Sequence, residues 1–254
     1  MITELTSTMI ASFKKCPRRY ELEYIYDLKP ITTDEALSTG TSYHANVEKI
    51  LRGEDFDHSG LTGLMAEVFK KYIPCGDWNA SPEVEFCKRI SHGIYIKGKM
   101  DAVTFEGIPV EHKTTGQSDM SKYIYHLAYD DQITTYMLAA GKTKAIYTVI
   151  QKPTIRQKQD ETEEEYLERC RAWYTPDKIT QQIITRTPKE LAQKKEEIEY
   201  IAKEIRHKKM FWRNPNTCAL TSCAYASICL NYQPGMQLIG FKKKERRNEE
   251  LCKY

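Results

Sequence analysis

Apolar positions along the chain fall into two periods. From Ser12, the residues Phe13, Cys16, Tyr20 and Tyr24 recur at helical spacing, which predicts a first helix with one apolar stripe and Cys16 pointing inward from it. Residues 41–51, TSYHANVEKIL, and residues 61–72 carry the same pattern. Beyond the breakers at Pro74 and Gly76 the period becomes that of strands: EVEFCKRI, then IYIKGKMDAVTF and, after a short turn at Glu106–Gly107, IPVEHKTT. A long helix is predicted from Lys122 to Ala140, followed by a buried strand, KAIYTVIQ. QQIITRT reads as one more strand. Thr187 then caps, and Pro188 opens, a charged amphipathic helix that runs to about residue 209. The acidic run DETEEEYLER marks residues 152–178 as a solvated, charged insertion. The order helix, three strands, helix, strand describes an α/β fold, with a mixed central sheet flanked by helices.

Composition adds limits rather than identity. A chain of 254 residues with 41% hydrophobic and 29% charged side chains can bury a substantial core. No apolar run approaches the roughly 20 residues that span a bilayer, so no membrane partner is expected. The first residues, MITELTSTMI, lack a basic segment followed by an apolar one, and the expected location is the cytoplasm. Net charge is +3, and residues 241–254, a basic tail, account for it with six basic and three acidic side chains. Contact with a polyanion must therefore come from local placement of Lys and Arg, not from the overall field.

Candidate chemistry sits on two successive strands. Asp101 lies on one, and Glu111, His112 and Lys113 on the next. Side chains alternate along a strand, so Glu111 and Lys113 share a face. Two carboxylates meeting at one point repel unless a hard cation such as Mg²⁺ lies between them. Such an ion polarises phosphate oxygens and acidifies bound water, and a nearby lysine can orient that water or offset developing charge. The bland reading of the same residues is a solvated, charged hairpin. The catalytic reading also makes a demand on register. A two-residue turn at Glu106–Gly107 would pair Asp101 with His112 and put it on the wrong face. An odd-length loop or a bulge is required, and Gly107 can supply the left-handed residue it needs. Gln132 and Tyr136, four apart, share a helix face, as in any amphipathic helix. His44 could add a nitrogen ligand, which Mn²⁺ tolerates better than Mg²⁺.

Eight cysteines in a chain expected in a reducing compartment argue against disulfides. Cys75, Cys87, Cys170 and Cys252 are scattered and read as plain thiols. Cys218-x4-Cys223-x5-Cys229 is a cluster without the paired C-x-x-C knuckles of common zinc modules. Cys16 is the best candidate for a fourth ligand. Four cysteines suit a 4Fe–4S cluster, with zinc the competitor, and either would staple the chain ends together.

The segments SFKKCPRRYELEY, GTSYHANVEKIL, GKMDAV with VEHKTT, DDQITTYMLA and NPNTC with two further cysteines occur in the order seen in RecB-type PD-(D/E)XK nucleases. The chain resembles most the iron–sulfur branch of that family, with its CRISPR-associated RecB-like exonucleases and AddB nuclease domains. The resemblance implies a restriction-endonuclease-like core in a single domain over 1–254, with 1–30 and 210–232 forming the cluster region. It implies that His44, Asp101, Glu111 and the His112 carbonyl hold Mg²⁺ or Mn²⁺, and that Lys113 is the catalytic lysine. By the same likeness Gln132 and Tyr136 help to hold DNA, and Cys16, Cys218, Cys223 and Cys229 ligate a 4Fe–4S cluster. The expected activity is exonucleolytic cleavage of DNA, on single-stranded ends, in recombination, repair or spacer acquisition. Helicase, recombination or CRISPR-adaptation proteins are the expected partners, and the oligomeric state is open. Two departures stand out: Met100 replaces the usual proline before Asp101, and residues 152–178 have no counterpart. The alternatives are a non-catalytic DNA-binding or assembly protein on the same fold, and a zinc-stabilised DNA-binding module. AAGKT at 139–143 imitates a phosphate-binding loop but has Tyr136 where glycine is required.

Overall fold

The computed structural model describes residues 2–31, 35–74, 79–220, 223–236, 238–245 and 251. Cys75, Gly76, Cys252 and most of the basic tail lie outside the described residues. The chain divides into two units. One comprises residues 1–33, 85–99 and 192–254, and the other residues 34–84 and 100–191.

The first unit opens with β1 (Thr3–Leu5) and α1 (Ser7–Lys15), which Thr6 caps by accepting the Met9 N–H at 3.2 Å. The single helix expected through Cys16 is broken there. Cys16 is extended (φ −162°, ψ 109°) because the ring of Pro17 disfavours helical geometry in the residue before it. The chain restarts as α2 (Pro17–Tyr20) and a wider π turn (Glu21–Ile25), then reaches β2 (Leu28–Pro30). Cys16 therefore projects from a helix break and not from a helix face.

The second unit begins with α3 (Glu35–Arg52) and α4 (Gly60–Tyr72). Tyr43 and Val47 of α3, and Leu64, Met65, Val68 and Phe69 of α4, form one buried cluster with Ile150, Cys170 and Ile179. Full burial of a ring such as Phe69 stabilises by about 1.5–3 kcal/mol. β3 (Ser81–Ser91) and β4 (Ile94–Val103) are long strands that run from one unit into the other, joined at His92 and Gly93. Within the first unit, β1 lies parallel to the start of β4, with Thr3 opposite Ile94.

In the second unit the end of β4 pairs antiparallel with β5 (Pro109–Thr115). The helix expected over 122–140 is two: α5 (Met120–Leu127) and α6 (Asp131–Ala140). Asp130 separates them, because its carboxylate accepts the Ile133 N–H at 2.9 Å and so caps the second helix. β6 (Lys144–Gln151) runs parallel to β5, and residues 152–178 hold α7 (Glu163–Trp173), opened by a Thr162–Glu165 capping box. The acidic side of α7 is exposed, whereas Cys170 is buried in the core with Tyr166 and Leu167 packed against it. β7 (Ile179–Thr185) completes a mixed sheet antiparallel to β6. Alternation along β6 puts Ile150 toward α3, α4 and α7, and Tyr147, which bonds to Asp130, toward α6. Both faces are thus covered, which is why KAIYTVIQ reads as a continuous apolar run.

α8 (Pro188–His207) starts at a Thr187–Glu190 capping box, with Pro188 in its first turn, as expected. Within α8 the chain returns to the first unit, which continues through α9 (Pro215–Leu220) and β8 (Phe241–Lys243), the latter paired antiparallel with β2. Among the described residues no helix is long and apolar enough to cross a membrane.

Candidate active site

The β4–β5 connection decides whether the carboxylates meet. Val103 stands opposite Pro109, and Thr104 N–H donates to Ile108 O at 2.9 Å, which leaves Phe105, Glu106 and Gly107 as a three-residue loop. Gly107 takes the left-handed conformation (φ 77°) and donates to Thr104 O at 2.8 Å. Continued one step past Ala102 and Val110, this register sets Asp101 opposite Glu111, on one face. The odd loop that a shared site demands is present.

Around that face the side chains form one connected set. His44 of α3 bonds through Nδ1 to Asp101 Oδ1 at 3.3 Å, and the second Asp101 oxygen accepts the His112 N–H at 2.8 Å. Burial opposes the Asp101 charge, but the bond from His44 and its charge hold the carboxyl down at about 2. Glu111 is buried. That burial, reinforced by the charge of Asp101, pushes its carboxyl up to about 8. Lys113 donates to Glu111 and, at 3.0 Å, to Gln132 Oε1, and Gln132 Nε2 donates to Tyr136 OH at 2.8 Å. Burial works against the Lys113 ammonium, but Glu111 beside it more than compensates and raises its pKa. His112 points to the other face, its ring edge-on to Phe69 at 5.3 Å, and burial lowers its pKa to about 4.

Sequence reasoning missed three supports of this arrangement. Tyr147 OH donates to Asp130 at 2.8 Å, Arg186 Nη2 donates to Ala128 O at 2.7 Å, and Tyr123 lies within electrostatic reach of Lys113, Asp130 and Glu111. The Asp-Asp pair at the start of DDQITTYMLA was the available signal for the cap.

Glu111 Oε2 is buried with no hydrogen-bond partner among the described residues. An uncompensated buried carboxylate oxygen is costly, and a hard cation satisfies it. The donor set of Asp101, Glu111 and His44 thus fits Mg²⁺ or Mn²⁺. No group of three His, Cys, Asp or Glu side chains is already assembled as a metal cage among the described residues. Lys113 and His44 each occupy one of the carboxylate oxygens instead.

The four candidate ligand cysteines, Cys16, Cys218, Cys223 and Cys229, belong to the first unit. Cys16, at the helix break, accepts the Asn214 N–H through its sulfur at 3.4 Å, and Lys15 O accepts from both Asn214 and Thr217. Arg18 ties in the return segment, donating to Cys229 O and Tyr232 O at 3.3 Å each. Burial raises the Cys229 thiol pKa, and the neighbouring Cys16 and Cys218 add to the effect. Among the described residues, however, no three of these sulfurs form a group that could hold a metal ion. Cys223 lies within electrostatic reach of Arg19 and packs against the small core of Leu22, Leu28, Tyr225, Ile228 and Tyr232. Of the scattered cysteines, Cys87 is exposed and Cys170 buried.

The model of the PD-(D/E)XK nuclease superfamily matches residues 4–74 and 79–230, and the chain belongs to that superfamily. Among curated proteins none matches it. Solved structures share the fold, two of them as follows. SSO0001 aligns with a TM-score of 0.51 at 20% identity, over 91% of this chain and 87% of its own. A Eubacterium rectale protein assigned as an exonuclease aligns with a TM-score of 0.50 at 13% identity, over 93% and 91%. A phage-related exonuclease from Haemophilus somnus is more distant, at 0.42 and 14%.

Proposed function

We propose that this chain is a divalent-metal-dependent DNA nuclease of the RecB-like iron–sulfur branch, acting as an exonuclease on single-stranded ends. The observation that carries the reading is the buried, unpartnered Glu111 Oε2 beside Asp101, with Lys113 fixed between Glu111 and Gln132. Asp101, Glu111, His44 and the His112 carbonyl hold Mg²⁺ or Mn²⁺. When bound, the ion supplies Lewis acidity toward a phosphate oxygen and an acidified water. Lys113, its ammonium directed by two acceptors, orients the attacking water and offsets charge developing on the scissile phosphate. Gln132 and Tyr136 keep that lysine in place and hold the DNA backbone near it.

In the same reading Cys16, Cys218, Cys223 and Cys229 ligate a 4Fe–4S cluster that ties residues 1–30 to residues 210–232 within one nuclease domain. Recombination, repair or spacer acquisition in the cytoplasm, beside a helicase or CRISPR-adaptation proteins, is the setting this branch suggests. Incubation with end-labelled single- and double-stranded DNA, with and without Mn²⁺, tests the activity. Release of mononucleotides from single strands only when Mn²⁺ is present is expected. Absence of cleavage on every substrate sinks the proposal.

A further inference from the structure

Beside the Lys113 network lies a surface feature that the chemistry above does not use. Lys122, Tyr125, His126 and Tyr129 fall at positions i, i+3, i+4 and i+7 along α5 and the turn that follows it, so they form one stripe. All four are exposed, Tyr125 at 64% and Tyr129 at 71%. Single exposed aromatics are ordinary on protein surfaces, but a paired set flanked by a cation is not of that kind. The two rings stand 5.8 Å apart at 64°, with their hydroxyls 3.3 Å from each other, and most of both rings is open to solvent.

The stripe is tied by hydrogen bonds to the start of α6, the helix whose Gln132 bonds to Lys113. Tyr123, on the same helix, lies within electrostatic reach of Lys113, Glu111 and Asp130. The turn carrying Tyr129 is pinned by Arg186, which donates to Ala128 O at 2.7 Å and to Thr134 Oγ1 at 3.1 Å. Asp130 fixes its far side through Ile133 N–H and Tyr147 OH. Aromatic side chains presented this way cannot read a duplex, whose bases already stack on one another. They can stack on the bases of a single strand, while a neighbouring lysine meets its phosphates.

We propose that Tyr125 and Tyr129, with Lys122 beside them, form a base-stacking platform that delivers single-stranded DNA to the Lys113 site and selects it over duplex. This rests on the nuclease reading above and names the residues that choose its substrate.

The test is fluorescence anisotropy in EDTA, so that binding is read without cleavage. The probes are a labelled oligothymidylate, an abasic strand of equal length and charge, and a blunt duplex. Wild-type protein is expected to bind oligothymidylate about tenfold or more tighter than the abasic strand, since stacking on aromatics contributes about 1–3 kcal/mol per base. Replacing both tyrosines with alanine is expected to erase that preference while leaving the abasic affinity unchanged. The double Tyr→Phe variant keeps the rings and is expected to keep the preference. Equal wild-type binding of the thymidylate and abasic strands overturns the proposal. So does a Phe variant as weak as the Ala variant, or an equal loss on the duplex probe. These results are separate from the nuclease reading, which fails only if wild-type protein with Mn²⁺ cleaves none of the end-labelled DNAs.

Discussion

Asp101 accepts the backbone N–H of His112 at 2.8 Å, so the carboxylate offered by one strand is stitched to the neighbouring strand that carries Glu111 and Lys113. This bond does two things at once. It joins β4 to β5 beyond their last paired residues, Ala102 and Val110, and it orients Asp101 toward the face where Glu111 lies.

Asp101→Asn separates the two roles. An asparagine oxygen still accepts from His112, so the strands stay joined and stability changes by about 1 kcal/mol or less, equal to about 2–4 °C in Tm. The charge that would help hold a divalent ion is gone, and Mn²⁺-dependent cleavage is expected to vanish. Thermal melts beside a cleavage assay check this. Full activity in the variant would remove Asp101 from the site.

Lys113→Ala is expected to lower cleavage by about 10²–10³-fold, the scale of losing one well-placed donor to a developing oxyanion. Binding of DNA in EDTA and the circular dichroism spectrum should change little, because Glu111 can take up a proton once its cation is gone. Single-turnover rates on end-labelled DNA provide the measurement, and an active Lys113→Ala protein refutes the assignment.

Gly107→Ala tests the loop that sets the register. A Cβ there would meet only the flexible end of Lys142, with Cε at 3.2 Å, so the penalty comes from the left-handed backbone. That costs about 1–2 kcal/mol for alanine and less for asparagine, which visits this region more readily. Urea unfolding of both variants should rank them glycine, asparagine, alanine. An alanine variant as stable as wild type would contradict the observed turn.

How much of this was legible beforehand follows from length and locality. β6, eight residues buried on both faces, matched its expected bounds, Lys144–Gln151. β3 and β4 were readable because Val84, Phe86 and Ile90, and then Ile94, Ile96, Met100 and Ala102, recur at even spacing, and β5 because the turn at Gly107 delimits it. The loop at Gly107 could be deduced because only an odd loop or a bulge brings Asp101 and Glu111 to one face. β1, β2 and β8 were invisible, since three residues carry no periodicity. The breaks at Cys16 and Asp130 were missed for a different reason. The apolar spacing runs on across them, while the signals that override it, Pro17 after Cys16 and a capping Asp130, are single residues. Tyr125 and Tyr129 stayed unread because periodicity locates an aromatic on a helix face without saying whether that face is buried.

Cys16 sits in the break between α1 and α2, where Asn214 N–H reaches its sulfur, and its charge bears on the Cys229 thiol. If all four cysteines share one cluster, protein purified without oxygen is brown and holds about four irons. The cluster then closes a loop of roughly two hundred residues, and its loss frees both ends together. Cys16→Ala is therefore expected to expose the segment around Cys218 and Cys229 to hydrogen exchange as strongly as Cys229→Ala does. The purely protein contacts predict less. Arg18 would still hold Cys229 O and Tyr232 O, and Tyr225 would still donate to Leu28 O at 2.9 Å, so without a cluster the Cys16→Ala segment stays largely protected. Protection in Cys16→Ala with exposure in Cys229→Ala would assign the fourth ligand elsewhere, and a colourless, iron-free protein would remove the cluster altogether. Neither result touches the carboxylates and lysine, which belong to a different unit of the chain.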